Sequence, residues 1–571
     1  MVDRQVLTNE ILDACQSSEI RVINWRAYIL LSLAVAAVWL IVRLAVLSIL
    51  GPPAPLITDE FSYLLGGDTF AHGRLTNPPH LLAPFFASPH ILVEPTYSSK
   101  YPPGQALFLA AGQVLFRSPF SGIVLEGVLM MFLLCLMLCI WTTTLWPATI
   151  VSAALIIFFQ PPMYWVDSYW GGCLAVSGGA LLLIALGWYR ISSNPISGCV
   201  FAAGGVVLFV TRPYEGGITF LIMLVILALK GVIALERGER RRLILAAAYG
   251  IPVAMTAAAG ILTHNSAVTG NPFVLPYQLH SRAYDVASIF WFLPMRQTDP
   301  AYPNPRLREM FGRDGWEGRE YRKARTIRHG YAGHLLIAAA VVLLDVLPPL
   351  PFLLFAIGLI GGIDWIDRRV WVCLVLIGAG VFASSLELWQ QPHYTAPSVP
   401  AIVLLWGILV ERAISIRVRK LPVGPIAVGL IFLVAFAPSI EATELDCRNM
   451  YTRMLLWRYE RPVMIRRWQP TDLRTKRVDW PLKRIELIRR LSATEKPSLV
   501  IVRYPSPSWG VGPVEWVYNG ADIDHQPVIF AHDLGTSKNL ELLNYYRDRT
   551  VWLLTFDPNN LATYFLNPYT R

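Results

Sequence analysis

Apolar runs long enough to cross a bilayer recur from position 27 to position 440. They fall at 27–50, 121–143, 147–162, 172–190, 196–212, 216–234, 243–263, 350–363, 370–386, 398–415 and 422–440. A helix needs about 17–25 apolar residues to span the hydrocarbon core, so the pattern predicts about eleven transmembrane helices, with 350–363 the shortest. Two further apolar stretches, 104–116 and 333–346, are short or flanked by prolines. They are predicted as amphipathic helices lying on the membrane surface rather than as crossings.

The polar stretches between the runs alternate in character. Arg190, then Arg237, Arg240, Arg241 and Arg242, then Arg368 and Arg369, then Arg417, Arg419 and Lys420 fall in every second one. Basic short loops stay cytoplasmic, so the N-terminal tail, residues 1–26, is predicted inside. Segments 51–120, 161–171, 211–216, 264–332 and 387–397 are then predicted outside. Beyond the last run, residues 441–571 carry three short apolar segments: Leu499–Tyr504, Val528–Asp533 and Val551–Phe556. Helical patterns near 482–493 and 538–547 alternate with them, which predicts a small extracytoplasmic α/β domain. The organisation expected is therefore a tail at 1–26, a transmembrane module at 27–440 with long outer loops at 51–120 and 264–332, and a soluble domain at 441–571.

Composition agrees with bilayer solvation. Of the 571 residues, 54% are hydrophobic and only 15% charged, against about 25% charged in soluble proteins. The net charge of +10 suits cytoplasmic loops and anionic headgroups, and nucleic acid is not an expected partner. The seven cysteines have neither a disulfide-framework nor a metal-ligand spacing. The first apolar run has no cleavage site after it and reads as an uncleaved anchor. No P-loop, Rossmann glycine pattern or Asp-x-Asp motif is present. His72, His80 and His90 share the first outer loop without ligand spacing and read as ordinary surface residues.

The chemistry gathers at the outer mouths. Thr58, Asp59, Glu60, Phe61, Ser62 and Tyr63 follow the first span directly, and intramembrane or interfacial carboxylates are costly unless something meets them. They also fit plain helix capping, because acidic residues in a first turn offset the macrodipole. At 100° per residue Asp59, Tyr63, Gly66 and Phe70 share one face, as the wall of a site would. Lys100, Tyr101, Pro102 and Pro103 precede the next apolar stretch. Asp167 lies among aromatics at the second mouth, and Arg212, Tyr214 and Glu215 form the third. Loop 264–332 contributes His264, Asn265, Tyr277, Gln278, His280, Arg282, Tyr284 and Asp285. The fifth mouth holds Glu387, Gln390, Gln391, His393 and Tyr394.

The order of span, Asp-Glu-x-x-Tyr, Lys-x-Pro-Pro, multi-span bundle and soluble C-terminal domain resembles the GT-C superfamily of membrane glycosyltransferases. The resemblance is nearest to the protein O-mannosyltransferase and lipid A aminoarabinose transferase branch. It implies transfer of a sugar from a polyprenyl-phosphate donor to a glycan, lipid or protein acceptor, by an integral protein of a bacterial inner membrane with its active site on the extracytoplasmic face. Asp59 would be the general base, supported by Glu60 and by Asp167, the acidic residue of the second outer loop. Tyr63, Tyr101, Tyr214, Glu215 and Tyr394 would line the substrate pocket. Lys100, Arg212 and Arg282 would meet phosphate, and His393 stands where the family more often has arginine. No cofactor is expected, although other GT-C branches use a divalent metal. A secondary transporter or lipid flippase is the competing class, and Arg43, Glu126 and Asp345 are the intramembrane charges it would need. A scaffold whose tail binds a partner is a third reading.

Overall fold

A computed structural model describes residues 24–160, 165–233, 237–327, 329–342, 367–416, 421–422, 424–429, 480–505, 514–557 and 560–570. The expected run at 350–363, most of 422–440, the first part of the tail at 441–479 and the basic residues 417–420 lie outside the described residues. Six described helices are long and apolar enough to cross a membrane, and several shorter apolar helices accompany them.

In chain order the helices are α1 (Trp25–Leu50), α2 (Thr58–Ala71), α3 (Pro103–Phe116), α4 (Phe120–Trp141), α5 (Leu145–Phe158), α6 (Cys173–Ser192) and α7 (Ser197–Thr211). They continue as α8 (Pro213–Ile233), α9 (Arg237–Thr269), α10 (Pro276–Ala283), α11 (Pro305–Phe311), α12 (Trp316–Arg325) and α13 (Tyr331–Val341). The membrane module closes with α14 (Arg368–Leu386), a 3₁₀ turn Pro392–Ser398, and α15 (Val399–Ser415). Boundaries fall where capping chemistry puts them. Asn24 accepts from Ala27 N at 3.2 Å, Asn304 accepts from Leu307 N at 3.0 Å, and Pro103, Pro276 and Pro305 open α3, α10 and α11, where a missing N–H costs nothing.

The core is the bundle of α1, α4, α5, α6 and α15. α4 and α6 are buried almost all round, whereas α9 turns most of its surface outward to the bilayer, as a peripheral span does. Trp39 of α1 is fully buried and donates to Phe159 O at 2.7 Å. A Cβ at Gly127 would stand 2.2 Å from its ring, so α4 needs glycine there. α2 and α3 cross above the bundle at short range. A Cβ on Gly66 would come within 2.9 Å of Ala106 Cβ, and one on Gly67 within 2.8 Å of Leu109 Cβ. The gap at Gly66 therefore serves helix packing and is not part of a pocket wall. α13, expected on the surface, packs along α14.

The loop after α2 carries two short strands, β1 (Ile91–Leu92) and β2 (Ser98–Ser99), and the C-terminal domain is α16 (Trp480–Ser492), β3 (Ser498–Arg503), β4 (Val528–His532), α17 (Thr536–Tyr545), β5 (Thr550–Asp557) and β6 (Asn560–Pro568). The sheet order is β4-β3-β5-β6, with the first three strands parallel and β6 antiparallel. β3 and β4 are buried almost throughout, which is why they read as continuous apolar runs. Strand β6, Asn-Leu-Ala-Thr-Tyr-Phe-Leu-Asn-Pro, mixes polar and apolar positions on an edge and gave no such signal. The domain sits directly on the first outer loop: Tyr97 donates to Asn519 O at 2.9 Å, Ser88 donates to Val517 O, and Asp524 bridges His80 and Tyr546.

Candidate active site

Helix α2 begins on the far side of a turn that Glu60 closes. Its carboxylate accepts from Leu56 N at 2.6 Å, Ile57 N at 3.1 Å and, from the second outer loop, Tyr169 N at 2.9 Å. The residue is 2% exposed. Burial pushes its pKa up to about 7, and the three N–H donors oppose that rise. With every oxygen so engaged, Glu60 fixes the start of α2 and joins it to the loop carrying Asp167. It supports the neighbouring carboxylate through the backbone and does not project into the open space.

Asp59 does project. Tyr101 donates its phenol proton to Asp59 Oδ1, and His90 Nε2 lies 3.6 Å from Oδ2. Its side chain is 27% exposed, so it can reach an incoming group. Below it Tyr63 and Tyr101 stack with ring centres 4.3 Å apart and planes at 11°. The segment carrying His90 and Lys100 is tied to the same helix: Ser62 Oγ donates to His90 O at 2.6 Å and meets Ser99 Oγ at 2.9 Å. A two-residue ladder, Ile91–Leu92 against Ser98–Ser99, brings Lys100 N within 3.2 Å of His90 O. His90 takes φ +67, a backbone region that non-glycine residues occupy mainly at turns and functional sites.

Two cations face the carboxylate helix. Lys100, 5% exposed, places Nζ 4.8 Å from the Tyr277 ring centre and 5.3 Å from that of Tyr101. Arg212 lies 5.3 Å over the Tyr394 ring, with Tyr63, Glu215 and Glu387 close enough to act on its charge. Cation–π contacts hold such groups without neutralising them. Among the described residues neither forms an ion pair.

Opposite them, His280 Nδ1 meets Asp285 Oδ1 at 3.3 Å. Burial and then the charge of Lys100 hold the His280 ring below its ordinary range despite that partner. The same two causes hold His90 well below it, so both histidines are neutral. Burial, then Asp285, pushes Glu317 well above the usual carboxyl range. Burial, then Glu215, does the same for Glu387. The chamber is thus a polar pocket in which partly exposed Asp59, the Asp285 carboxylate that His280 holds low against burial, the raised acids Glu317 and Glu387, and two imidazoles surround two cations.

The remaining sequence candidates divide. Tyr63, Lys100, Tyr101, Arg212, Glu215 and Tyr394 converge on the chamber. His393 lies beside it, with its ring 4.5 Å from that of Trp170 and 4.7 Å from that of Tyr394. Tyr214 turns to Phe290, with ring centres 5.0 Å apart, and donates to Ala383 O at 3.4 Å. Arg282 lies exposed on α10, where its carbonyl accepts from Arg296. Asp167 is bound to Arg43 of α1 at 2.5 Å, and Arg43 also donates to Val166 O at 3.0 Å. That pair latches the second outer loop onto the first span, and it accounts for one of the intramembrane charges a transporter would have needed.

Two participants, His90 and Glu317, were missed, and a second histidine of the same loop was misplaced. His90 is buried in the chamber wall rather than lying on the surface, and His80 is largely buried against the C-terminal domain. Glu317 sits in α12 among arginines, where the sequence reads as a solvated charged helix. Neither carries a spacing signal, because their partners come from loops far away in the chain. Asp59 and His90 stand as a pair, His280 and Asp285 as another. Among the described residues no group of three or more His, Cys, Asp or Glu side chains is disposed to hold a metal ion, and no step below runs through one.

A long apolar groove of about 900 Å³ runs between α6, α7, α8 and α9. At one end it is lined by Tyr189 and Ser197; at the other it reaches Asn265, Gly216 and Gln278, the last two being the immediate chain neighbours of Glu215 and Tyr277.

No protein-family model and no curated protein matches the chain. Among solved structures it is similar to ArnT from Cupriavidus metallidurans in the apo state, at 14% identity over 93% of each chain with a TM-score of 0.48. It is also similar to the same protein bound to undecaprenyl phosphate, at 15% identity, 93% of each chain and a TM-score of 0.44. The oligosaccharyltransferase of Archaeoglobus fulgidus in complex with zinc and sulfate follows, at 12% identity over 92% of this chain and 68% of that one, with a TM-score of 0.44. At identities this low, the chemistry rests on the residues of this chain.

Proposed function

We propose that this protein is a membrane glycosyltransferase that moves a sugar from a polyprenyl-phosphate carrier to an acceptor hydroxyl at the extracytoplasmic surface. The observation that supports it is one of placement. A partly exposed carboxylate, held by Tyr101 and His90, shares a chamber with two cations that rest on aromatic rings rather than in ion pairs, and an apolar groove ends beside that chamber. A headgroup of anionic phosphate with a long isoprenoid tail fits the cations and the groove together.

In the reaction, Asp59 takes the proton of the acceptor hydroxyl. The oxygen then attacks the anomeric carbon from the side opposite the phosphate. The bond from that carbon to the phosphate oxygen breaks with inversion, and the leaving phosphate's charge falls on Lys100 and Arg212. A carboxylate at hydrogen-bond reach of the acceptor supplies general-base help, and pre-placed cations stabilise the leaving anion more in a dry pocket than in water.

The test is transfer by purified protein in lipid nanodiscs from a panel of polyprenyl-phosphate sugars to envelope glycan, lipid and peptide acceptors. Carrier-dependent transfer with inverted anomeric configuration is the expected result. Retained configuration, or transport of the carrier across the bilayer without transfer, would overturn the proposal.

A further inference from the structure

The C-terminal domain touches the back of the carboxylate helix, and this contact has no part in the chemistry above. Successive residues of a helix turn by about 100°. Phe61 therefore points roughly away from Asp59, while Tyr63 returns to the side of Asp59. Phe61 is 3% exposed, and its ring lies 4.6 Å from that of Tyr518 and 6.0 Å from that of Trp480. Arg484 caps it, with its guanidinium carbon 5.3 Å from the ring centre. Arg484 in turn is fixed by donating to Trp516 O at 3.1 Å and Tyr518 O at 2.7 Å. Two turns further along α2, Asp68 accepts from Ala521 N at 2.7 Å on one oxygen and from Gln113 at 2.8 Å on the other.

The same segment, residues 514–521, holds the opposite wall. Arg306 of α11 donates to Val514 O at 2.8 Å and lies 3.4 Å from Glu515. Glu515 is shaped by accepting from Tyr504 at 2.6 Å and from Val517 N at 2.8 Å. At the other end of α11, the Phe311 ring packs 5.6 Å from His90 and 5.2 Å from His280. One irregular segment of the C-terminal domain is thereby joined to both the helix bearing Asp59 and the loop wall bearing its histidine partners.

We infer that the C-terminal domain is a brace for the active site, with Phe61 and Arg306 as positioning residues that set Asp59 against His90. The inference rests on the transferase reading for its activity readout. A small rotation of α2 would swing the Asp59 carboxylate away from Tyr101 and His90, and a misplacement of about 1 Å can cost on the order of 10²-fold in rate. On the transferase reading the carrier phosphate meets Arg212, at the junction of α7 and α8 outside the brace, as well as Lys100, so carrier affinity should respond to the brace far less than the rate does.

The experiment uses the full chain in nanodiscs. Phe61→Ala loosens one end, and Arg306→Met combined with Glu515→Gln loosens the other without leaving a lone buried charge. Each is expected to speed hydrogen exchange in residues 58–71 or 305–311 respectively. Each should lower kcat by about 10-fold or more and leave binding of bare undecaprenyl phosphate within about 2-fold, while Phe61→Leu restores most of the rate. The brace is refuted if kcat stays near wild type while residues 514–521 exchange faster, if exchange in 58–71 is unchanged in Phe61→Ala, or if carrier affinity falls in step with kcat. A wild-type chain inactive on every carrier-linked sugar would sink the transferase reading alone, and the exchange comparison would still decide the brace.

Discussion

The two ends of the helix bundle treat charge in opposite ways. At the arginine-rich end, Arg369 pairs with Asp367 and Glu411 at 2.9 Å each, and Arg412 pairs with Asp367 at 3.1 Å. Arg369 also donates to Trp141 O, and four charged groups from two segments neutralise one another. At the other end Lys100 and Arg212 rest on aromatic faces, and Asp59 is held by a phenol and a neutral imidazole. A self-paired cluster stabilises the fold and leaves nothing for a ligand. A cluster whose charges are kept apart by rings costs stability but retains its field for something that arrives from outside.

The sharpest way to break that contrast is Asp59→Asn, which keeps the side-chain shape and removes its basicity. Transfer is expected to fall about 10²–10⁴-fold, with an unchanged melting temperature, measured by turnover and thermal unfolding on the same preparation. Near-normal turnover would return Asp59 to the role of a helix-capping acid. Next in size are Lys100→Ala and Arg212→Ala, each expected to weaken bare undecaprenyl phosphate by about 2–5 kcal/mol, or roughly 30-fold and upward. Asp59→Asn should leave that binding intact or slightly tighter. Titration of the carrier into each variant would show it, and unchanged affinity in both cation variants removes the phosphate assignment.

Arg369→Met sharpens the comparison from the other side. It leaves Glu411 without its cation and Asp367 with Arg412 alone, and a loss of about 2 kcal/mol in stability is expected, read as a lower unfolding temperature with carrier affinity unchanged. The smallest effect concerns Glu60. Its folded pKa, raised by burial to about 7, exceeds its unfolded value near 4.5, so the folded state holds this proton more tightly. The resulting stabilisation is fully present below about pH 4.5 and is lost as pH rises through about 7. Unfolding temperatures of wild type should decline over that window more steeply than those of Glu60→Gln, and parallel profiles would show that Glu60 does not titrate there.

Much of the framework was legible because bilayer physics writes itself into sequence. Spans need apolar length, so α1, α4, α6, α14 and α15 came within a few residues of their expected positions, and the parallel strands β3, β4 and β5 announced themselves as short buried runs. The acidic start of α2 was legible for the same reason, as a carboxylate pair at a membrane boundary is conspicuous. The partners were not. Asp167 and Glu60 looked like chemistry, yet Arg43 and three backbone N–H groups bind them. Whether a carboxylate faces a cavity or a latch depends on residues more than a hundred positions away, beyond any periodicity. His90 was invisible because its burial arises from α11 and α10 closing over it, and Gly66 was misread because a small residue marks close helix packing as readily as a pocket.

The latch between Arg43 and Asp167 has a consequence in time as well as in space. Arg43 is fully buried and enters the membrane with the first span, but its partner is 124 residues further along the chain. During synthesis α1 must therefore sit in the bilayer with an unmatched guanidinium, which is tolerable because a long side chain near a helix end can reach headgroups. Only when α4 and α5 have followed can the second outer loop collect that arginine. The first span is thus inserted early and finished late, because its seating waits on a loop that follows five helices of the chain.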